Sequence, residues 1–307
     1  MSKSVITDAL LTAIADAIRD KTGDEGTLTP AQMAQAIEDI PAGAEEPYVE
    51  YTLDEQLGTN LTGAVFYGFT KIPRFFSHHT SVSRGGFNHI DIPDGVTEIC
   101  DSAFVYSGLA QGITLPDSLR VIGNNAFEGS DFKSIDIPDD VETIGNKVFY
   151  SCTKLERCHM PEHMQTVNSN NLFYYCSKLQ TVNFPAEWTI IDSSCFFMCS
   201  ALAITRIPDT VTEIKDSAFG NTGLTDIDIM GACNIGWGAF GRCTNLKTVK
   251  LHSVNTTINE YAFSNDAALT DIYVPWASGA VAGAPWGATN ASIHYNTQYD
   301  ANGNVIS

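Results

Sequence analysis

The stretch FKSIDIPDDVETIGNKVFYSC, residues 132–152, contains a complete copy of a phrase that recurs along most of the chain. In its S-I-D-I portion two isoleucines flank Asp136, which is the period-two pattern of a short strand with one buried face. The proline that follows fixes its own φ and has no backbone N–H, so it ends the strand, and the next aspartate suits a turn. Val141, Ile144 and Phe149 then return the chain toward the core. The stretch therefore predicts one coil of a repeat protein.

Two landmarks of this phrase recur with a common period. The turn-proline position is filled by Pro93, Pro116, Pro138, Pro161, Pro185, Pro208, Met230, His252 and Pro275. The aromatic position is filled by Phe104, Phe127, Phe149, Phe173, Phe196, Phe219, Phe240, Phe263 and Trp286. One unit cannot bury its own apolar edge, whereas stacked units can. We therefore predict an α/β solenoid, a leucine-rich-repeat type of architecture with about nine coils of 22–24 residues and short parallel strands.

The repeat has atypical units at both ends, where a solenoid needs caps for its core. We assign residues 61–288 to the solenoid, and residues 61–86 to a degenerate first coil in which Ile72 and Pro73 fill the isoleucine–proline position. Glycine, alanine and tryptophan break the pattern near the far end. Residues 289–307 are therefore assigned to a C-terminal cap or tail.

Residues 1–41 predict two short helices ahead of the solenoid. Residues 5–21 carry a wide apolar stripe, and T-P-A-Q at residues 29–32 is typical of a helix start. The apolar stripes include Ile6, Leu10, Ile14, Ile18, Met33 and Ile37. The segment PAGAEEP, residues 41–47, is typical of a linker, and residues 42–60 are predicted to be one. Two short helices cannot bury a core, so they are a cap on the solenoid, a loosely ordered hairpin, or an attachment and oligomerisation module.

The composition and the missing motifs exclude several classes of function. The 307 residues carry a formal charge of −19, which repels nucleic acids and anionic lipids. No stretch approaches about 18 consecutive apolar residues, so we expect no membrane span. The N-terminus lacks a signal-peptide pattern, so we expect synthesis in a cytosol, followed by release through lysis or within a particle. No phosphate loop, G-x-S-x-G or H-E-x-x-H motif is present, and we expect neither catalysis nor a cofactor.

The stretch RCHMPEHMQ, residues 157–165, resembles a metal site because it places Cys158, His159 and His163 close together. The repeat register argues against a metal. Cys158 and Met160 take the two inward strand positions, whereas His159 points outward, so the cysteine and this histidine cannot share an ion. Zinc needs about four converging ligands. We therefore expect no metal here.

A column of small side chains follows the aromatic position by three residues. It is filled by Ser107, Ser130, Cys152, Cys176, Cys199, Thr222, Cys243 and Asp266. Weakly polar side chains repeated at one position predict a stacked ladder against the backbone. We expect free thiols throughout the chain, although the spacing of neighbouring coils would permit a disulfide.

The outward strand positions vary in chemistry, whereas the positions beside them are monotonous. The candidate binding residues in these columns are Arg157, His159, Asn183, Arg206, Lys250 and Tyr273. The columns are either an ordinary solvated face or a concave recognition surface of the kind that solenoids provide.

The phrase I-x-I-P-x-x-V-x-x-I-x-x-x-x-F-x-x-C over residues 87–288 resembles the BspA-like, or Treponema-type, leucine-rich repeat family. This resemblance implies a solenoid that binds ligands, as in bacterial surface adhesins.

The flanking segments resemble another set of proteins. Residues 10–40 and 272–296 are similar to the ends of phage and prophage tail-associated proteins of Gram-positive gut bacteria. This resemblance implies a virion protein that joins other tail subunits through its N-terminal helices and forms a homo-oligomer. Its solenoid would then face a protein or glycan of the host surface. The alternative is a BspA-like adhesin at the bacterial cell surface.

Overall fold

The structure is a computed structural model. It describes backbone and side chains for residues 70–72, 88–164 and 169–306, and the backbone alone for three strands nearer the N-terminus. The strands in chain order are β1 (Val5–Thr7), β2 (Tyr48–Leu53), β3 (Leu61–Tyr67), β4 (Lys71–Ile72), β5 (His89–Asp91), β6 (Glu98–Ile99), β7 (Gly112–Thr114), β8 (Val121–Ile122), β9 (Ser134–Asp136), β10 (Thr143–Ile144), β11 (Arg157–His159), β12 (Thr181–Val182), β13 (Ile190–Ile191), β14 (Arg206–Ile207), β15 (Glu213–Ile214), β16 (Asp226–Ile229), β17 (Asn234–Ile235), β18 (Thr248–Leu251), β19 (Thr257–Ile258), β20 (Asp271–Tyr273) and β21 (Ser292–His294). Every regular element within these residues is a strand.

Each coil contributes to two series of strands. The first strands of the coils form three sheets, with the orders β1-β2-β3-β5-β7, β9-β11-β12 and β14-β16-β18-β20-β21. The second strands form two sheets, β4-β6-β8-β10 and β13-β15-β17-β19. From β3 onward neighbouring strands pair in parallel, one coil apart. The fold is therefore a parallel β-solenoid, and the prediction of about nine stacked coils is confirmed.

The register places inward residues in one column and outward residues in another. Cys158 lies opposite Ile135 and Val182, and all three side chains are buried. Arg157 and His159, on either side of Cys158, are exposed. This confirms the predicted alternation, which follows from the pleat of a strand.

The aromatic positions form a continuous stack through the core. The fully buried rings are those of Phe104, Phe127, Phe149, Phe173, Phe196, Phe219, Phe240 and Phe263. Successive ring centroids are 5.1 to 5.9 Å apart, and their planes differ by 3 to 19°. Such stacked pairs contribute about 0.5–1.5 kcal/mol each beyond the burial of their surface. Trp286 continues the column, because its carbonyl accepts the Phe263 N–H at 3.0 Å.

The small polar column beside the aromatic stack is a hydrogen-bonded ladder, as predicted. The Cys152 thiol donates to the carbonyl of Phe127, one coil back, at 3.1 Å, and Cys176 donates to Phe149 at 3.0 Å. Ser, Thr and Cys suit this position equally because each offers one donor on a short side chain. All eight cysteines are free thiols, and seven of them are buried.

The N-terminal residues differ from the prediction at two places. Val5–Thr7, the start of the predicted first helix, is the strand β1, so Ile6 belongs to a strand. Tyr48–Leu53, within the predicted linker, is the strand β2. β1 pairs antiparallel with β2, and β2 pairs antiparallel with β3. The β-branched triplet favours a strand, and this arrangement leaves only a three-residue strand at the edge of the sheet.

The remaining predicted attachment residues lie outside the described part of the chain. They are Leu10, Ile14, Ile18, Met33 and Ile37.

The first coil is aligned differently from the prediction. Ile72 pairs in register with Ile99 of β6, so it fills the second-strand position and not the isoleucine–proline position. The first strand of this coil is β3, in which Ala64 lies opposite Ile90. Pairing with the next coil therefore sets the register, and a proline after an isoleucine does not.

The C-terminal segment extends the last sheet. β21 pairs in parallel with β20, so the predicted cap begins by adding one more strand. Residues 298–306, called the tail below, then fold back, and a bridge between Tyr299 and Val305 closes their turn. Within the ranges that the structure describes, no helix has the length and apolar character needed to cross a membrane.

Candidate functional site

The outward positions of the first-strand sheets form one surface, which we call the strand face. Arg157 and His159 on β11 are exposed on this face, as is Arg206 on β14. Ser134 and Thr181 flank Arg157, and Asp136 lies beside His159. Each neighbour brings a hydroxyl or carboxylate, so this part of the strand face is polar and open.

The cysteine of this strand does not contribute to the open surface. Cys158 is buried and its thiol points to the Met160 sulfur at 3.8 Å, while burial raises the pKa of Cys158 well above its ordinary value. A buried, protonated thiol is a poor metal ligand. His163 is exposed beyond the turn. Among the described residues, no group of three or more His, Cys, Asp or Glu side chains is placed to hold a metal ion.

Asn183 has a structural role that reduces its availability to a ligand. Its Oδ1 accepts the Met160 N–H at 2.7 Å, and its Nδ2 donates to the Met160 carbonyl at 2.9 Å. The side chain thus replaces a backbone pair where β12 has already ended. The Asn183 amide thus continues the hydrogen-bonding pattern of the sheet by one residue, and both of its polar atoms are occupied.

Arg206, Lys250 and Tyr273 lie together further along the strand face. Arg206 is in register with Asp228, which is in register with Lys250, and Lys250 is in register with Tyr273. The Lys250 ammonium lies 3.4 Å from the Asp228 carboxylate. The Tyr273 ring stacks on His294 with centroids 4.3 Å apart. This group is therefore already engaged within the chain.

The tail lies against this second group of residues. The Tyr299 hydroxyl donates to the carbonyls of Leu251 at 3.1 Å and Tyr273 at 3.3 Å. The Tyr299 ring packs against His252, with centroids 3.9 Å apart. Asp300 shapes the turn by accepting the Asn304 N–H at 2.8 Å. The tail thus occupies the C-terminal part of the strand face.

The electrostatics under the tail follow from burial. His252 is 8% exposed at its side chain, and burial lowers its pKa, with Asp228 acting in the opposite direction. Its Nε2 has no hydrogen-bond partner among the residues with described side chains. Burial likewise raises the pKa of Tyr299. Both side chains are therefore neutral where they meet.

The predicted column thus divides into two groups. Arg157 and His159 are open to solvent, whereas Arg206, Lys250 and Tyr273 lie beside the tail. The column and a C-terminal cap or tail were both predicted from the sequence, but their contact was not, because a contact between segments far apart in sequence has no signature in the repeat.

Sequence analysis also missed a groove in the turns that follow the second strands. Trp237 and Tyr261 are exposed there by 54% and 48%. The sequence does indicate this site once the repeats are aligned. The position of Trp237 holds Asp, Asn, Ser or Glu in each of the other coils between residues 101 and 260. An exposed tryptophan in a polar column is the kind of departure that marks a binding site.

Several proteins of known structure are similar to this chain. A leucine-rich repeat protein from Bacteroides ovatus is 21% identical over 74% of this chain and 81% of that chain, with a TM-score of 0.41. The T. pallidum leucine-rich repeat protein is 25% identical over 64% of this chain and 86% of that chain, with a TM-score of 0.45. A leucine-rich cell surface protein from Faecalibacterium prausnitzii is 23% identical over 61% of this chain and 59% of that chain, with a TM-score of 0.33. No curated protein matches the sequence significantly.

The sequence model described as "BspA type Leucine rich repeat region (6 copies)" matches residues 80–172 and 168–279. These ranges cover well over half of the chain. They also contain the aromatic stack and the polar ladder, which are the features that define each coil here. The chain therefore belongs to the BspA-type leucine-rich repeat family.

Proposed function

We propose that the protein is a non-enzymatic recognition protein whose open strand face, centred on Arg157 and His159, binds a protein or glycan of a host surface. One observation carries this proposal. Both side chains are exposed on a strand whose inward residue is buried in the core, and within the described structure neither has a hydrogen-bond or ion-pair partner. Polar side chains that are held by a rigid scaffold and remain unpaired are suited to recognition.

The chemistry of the neighbouring positions supports the same proposal. Asp136 is exposed beside His159, and Thr181 is exposed beside Arg157. The patch thus offers a guanidinium, an imidazole, a carboxylate and a hydroxyl within neighbouring strands. Such a set can both donate hydrogen bonds to a polar partner and accept them from it.

The binding role is tested by a double substitution with a matched control. Arg157→Ala/His159→Ala removes both candidate side chains, whereas Lys247→Ala/His163→Ala removes an exposed cation in a distant coil and an exposed histidine beyond the turn. Labelled full-length protein is applied to intact Gram-positive gut bacteria and to epithelial cells, and binding is measured by flow cytometry. We expect the first variant to bind about tenfold or more weakly. Equal binding by both double variants would remove the strand face from consideration.

For the biological context, we propose a virion component of a phage or prophage, attached to the tail. The resemblance of residues 10–40 and 272–296 to tail-associated proteins supports it. The alternative is a cell-surface adhesin, which membership of the BspA-type family favours. Mass spectrometry of purified particles from a producing strain separates the two. Detection in particles supports the virion, and detection only among peptides shaved from intact cells supports the adhesin.

The attachment role of the N-terminal segment needs a variant that leaves β1 in place. Ile14→Glu/Ile18→Glu puts two charges on the predicted apolar stripe without changing Val5–Thr7. We propose that this stripe contacts other tail subunits and further copies of the chain. Loss of the protein from purified particles, with an unchanged circular dichroism spectrum, supports the proposal. Normal incorporation contradicts it.

A further inference from the structure

A groove runs along the turns that follow the second strands, on a part of each coil separate from the strand face. We call it the aromatic groove. Its walls include Phe197, Asn221, Trp237, Arg242, Tyr261 and Asn265. Its volume is about 470 Å³, within the range of about 300–1,000 Å³ typical of small-ligand sites.

The groove exists because a column of rings stops. In three successive coils the residue after the core aromatic is Tyr150, Tyr174 or Phe197, and these rings stack with centroids 4.8 and 5.1 Å apart. In the next coils the same position holds Gly220 and Gly241. A Cβ atom on Gly220 would lie 2.9 Å from the Phe197 ring. The ring column therefore ends in a floor of bare backbone, with Phe197 as the end wall.

Trp237 occupies a position at which several other coils carry an Asp or Asn side chain that accepts a backbone N–H from the next coil. In this column Asp101 accepts the Asn124 N–H at 2.7 Å, and Asn124 accepts the Asn146 N–H at 2.9 Å. Asp216 accepts the N–H of Trp237 itself at 2.8 Å. An indole has no acceptor, so the ladder ends here. Trp237 therefore cannot accept such a bond, and its exposed apolar side chain does not stabilise the free protein.

The chemistry of the walls indicates the class of ligand. Trp237 and Tyr261 contribute exposed aromatic side chains to the groove, and Asn221, Arg242 and Asn265 line it with polar and cationic side chains. No carboxylate lines the groove, although the chain carries a net charge of −19. An aromatic face packs against the C–H face of a sugar ring, and amides can both donate to and accept from its hydroxyls.

We propose that the aromatic groove binds a neutral oligosaccharide. One pyranose ring stacks on Trp237 and its neighbour on Tyr261, while Asn221, Arg242 and Asn265 hydrogen-bond the hydroxyls along the opposite edge. Because the glycines of the floor have no side chains, the sugar rings can lie close to the backbone. The site is independent of the strand face, so it stands whether or not Arg157 and His159 bind a partner.

The fluorescence of Trp237 can report on ligand binding in the groove. The chain has four tryptophans, and the other three, Trp188, Trp276 and Trp286, are buried. Acrylamide quenching of the full-length protein therefore reports mainly on Trp237. The probes are neutral oligomers of glucose, galactose, mannose and N-acetylglucosamine, with sialylated oligomers and an unglycosylated peptide library as comparison arms. We expect at least one neutral oligomer to protect Trp237 from quenching and to show saturable binding by calorimetry.

Two variants of the same kind separate binding from folding. Trp237→Asn restores the residue that the ladder carries in other coils, so it should fold at least as well as the wild type and bind about tenfold or more weakly. Tyr175→Asn removes an exposed tyrosine outside the groove, at a positive φ that asparagine tolerates, and should bind normally.

Three outcomes would overturn the proposal. They are protection of Trp237 by none of the neutral oligomers, protection only by sialylated sugars or peptides, and unchanged binding by Trp237→Asn. The strand-face variant Arg157→Ala/His159→Ala should keep sugar binding, so failure of the recognition function proposed above leaves this test intact.

Discussion

The guanidinium of Arg206 donates a hydrogen bond to the backbone carbonyl of Asn302 at 3.2 Å, across 96 residues of sequence. The next residue, Gly303, has a φ of +84°, and a Cβ atom there would lie 3.3 Å from the His252 ring. At this point the tail meets the strand face through backbone atoms, while Tyr299 anchors it through its side chain. The strand face is thus able to hold a folded-back turn, and the chain supplies one.

The first prediction concerns the Tyr299 hydroxyl that anchors the tail. Tyr299→Phe removes the single hydroxyl hydrogen shared between the carbonyls of Leu251 and Tyr273 and should weaken docking by about 0.5–1.5 kcal/mol. Hydrogen exchange at the Gly303 and Ile306 amides, both bonded within the tail, should become faster. Gln298→Ala changes an exposed side chain and serves as the control. Unchanged exchange in Tyr299→Phe would show that the tail is held by other contacts.

The second prediction concerns the pH dependence of the tail. Burial lowers the pKa of His252, with Lys250 and Arg206 acting in the same direction and Asp228 opposing them. The undocked state therefore binds the proton more tightly, so docking is strongest above the ordinary histidine pKa of about 6.5 and weakens as the pH falls below it. Nuclear magnetic resonance spectra of the tail amides should show this loss between neutral and mildly acidic pH. His252→Asn should remove the pH dependence, and His163→Gln, at an exposed histidine, should not.

The parts of the fold that sequence predicted are those with a fixed period. The aromatic stack, the polar ladder and the inward placement of Cys158 and Met160 all follow from one side-chain class recurring at one position. Stacking of equivalent coils turns that sequence period into a spatial contact, so each such residue identifies its own neighbours.

The features that sequence did not predict depend on contacts without a period. The Arg206–Asn302 bond joins a coil to a segment outside the repeat. Ile6 lies in a strand because an edge of the solenoid was available for pairing, which local helix-like spacing does not reveal. Ile72 was misplaced because its coil has diverged, and only pairing with Ile99 identifies its position.

A third prediction separates the size of the ladder side chain from its hydrogen bond. Cys176→Ser keeps a donor to the Phe149 carbonyl, and serine fills the same position at Ser107 and Ser130. Cys176→Ala removes this donor, although the Phe149 carbonyl still accepts the Cys152 N–H at 3.2 Å, and should cost about 0.5–1.5 kcal/mol of unfolding free energy for the lost bond. Chemical denaturation should therefore rank serine above alanine. The reverse order would mean that apolar burial of the sulfur, and not the bond, stabilises the ladder.

The same structure predicts slow thiol chemistry. Burial raises the pKa of Cys233 and of Cys243 to about 12, so neither forms thiolate at neutral pH. We expect Cys100, the one half-buried cysteine of the eight, to react first with a thiol reagent in the native protein. All eight should react after denaturation without a reductant. A smaller number would reveal a disulfide.

The last prediction concerns Asp266, the one carboxylate in the polar ladder. Burial raises its pKa to about 8, although its Oδ1 accepts the Cys243 N–H at 2.7 Å. Its Oδ2 has no partner within the described residues. The folded state therefore holds a proton that the unfolded state releases near pH 4, so the unfolding free energy should fall as the pH rises from about 4 to about 8.

Asp266→Asn keeps an oxygen to accept the Cys243 N–H and removes the ionisation. Each unit of pKa shift corresponds to about 1.4 kcal/mol, so at pH 8 the variant should be more stable than the wild type by several kcal/mol. Near pH 4 the two should differ little, because the wild-type carboxyl is then neutral in the folded protein. Urea denaturation at both values measures this difference, with Asp226→Asn, at an exposed aspartate, as the control. An equal difference at both pH values would show that Asp266 ionises at the same pH in the folded and unfolded protein, and that burial does not raise its pKa.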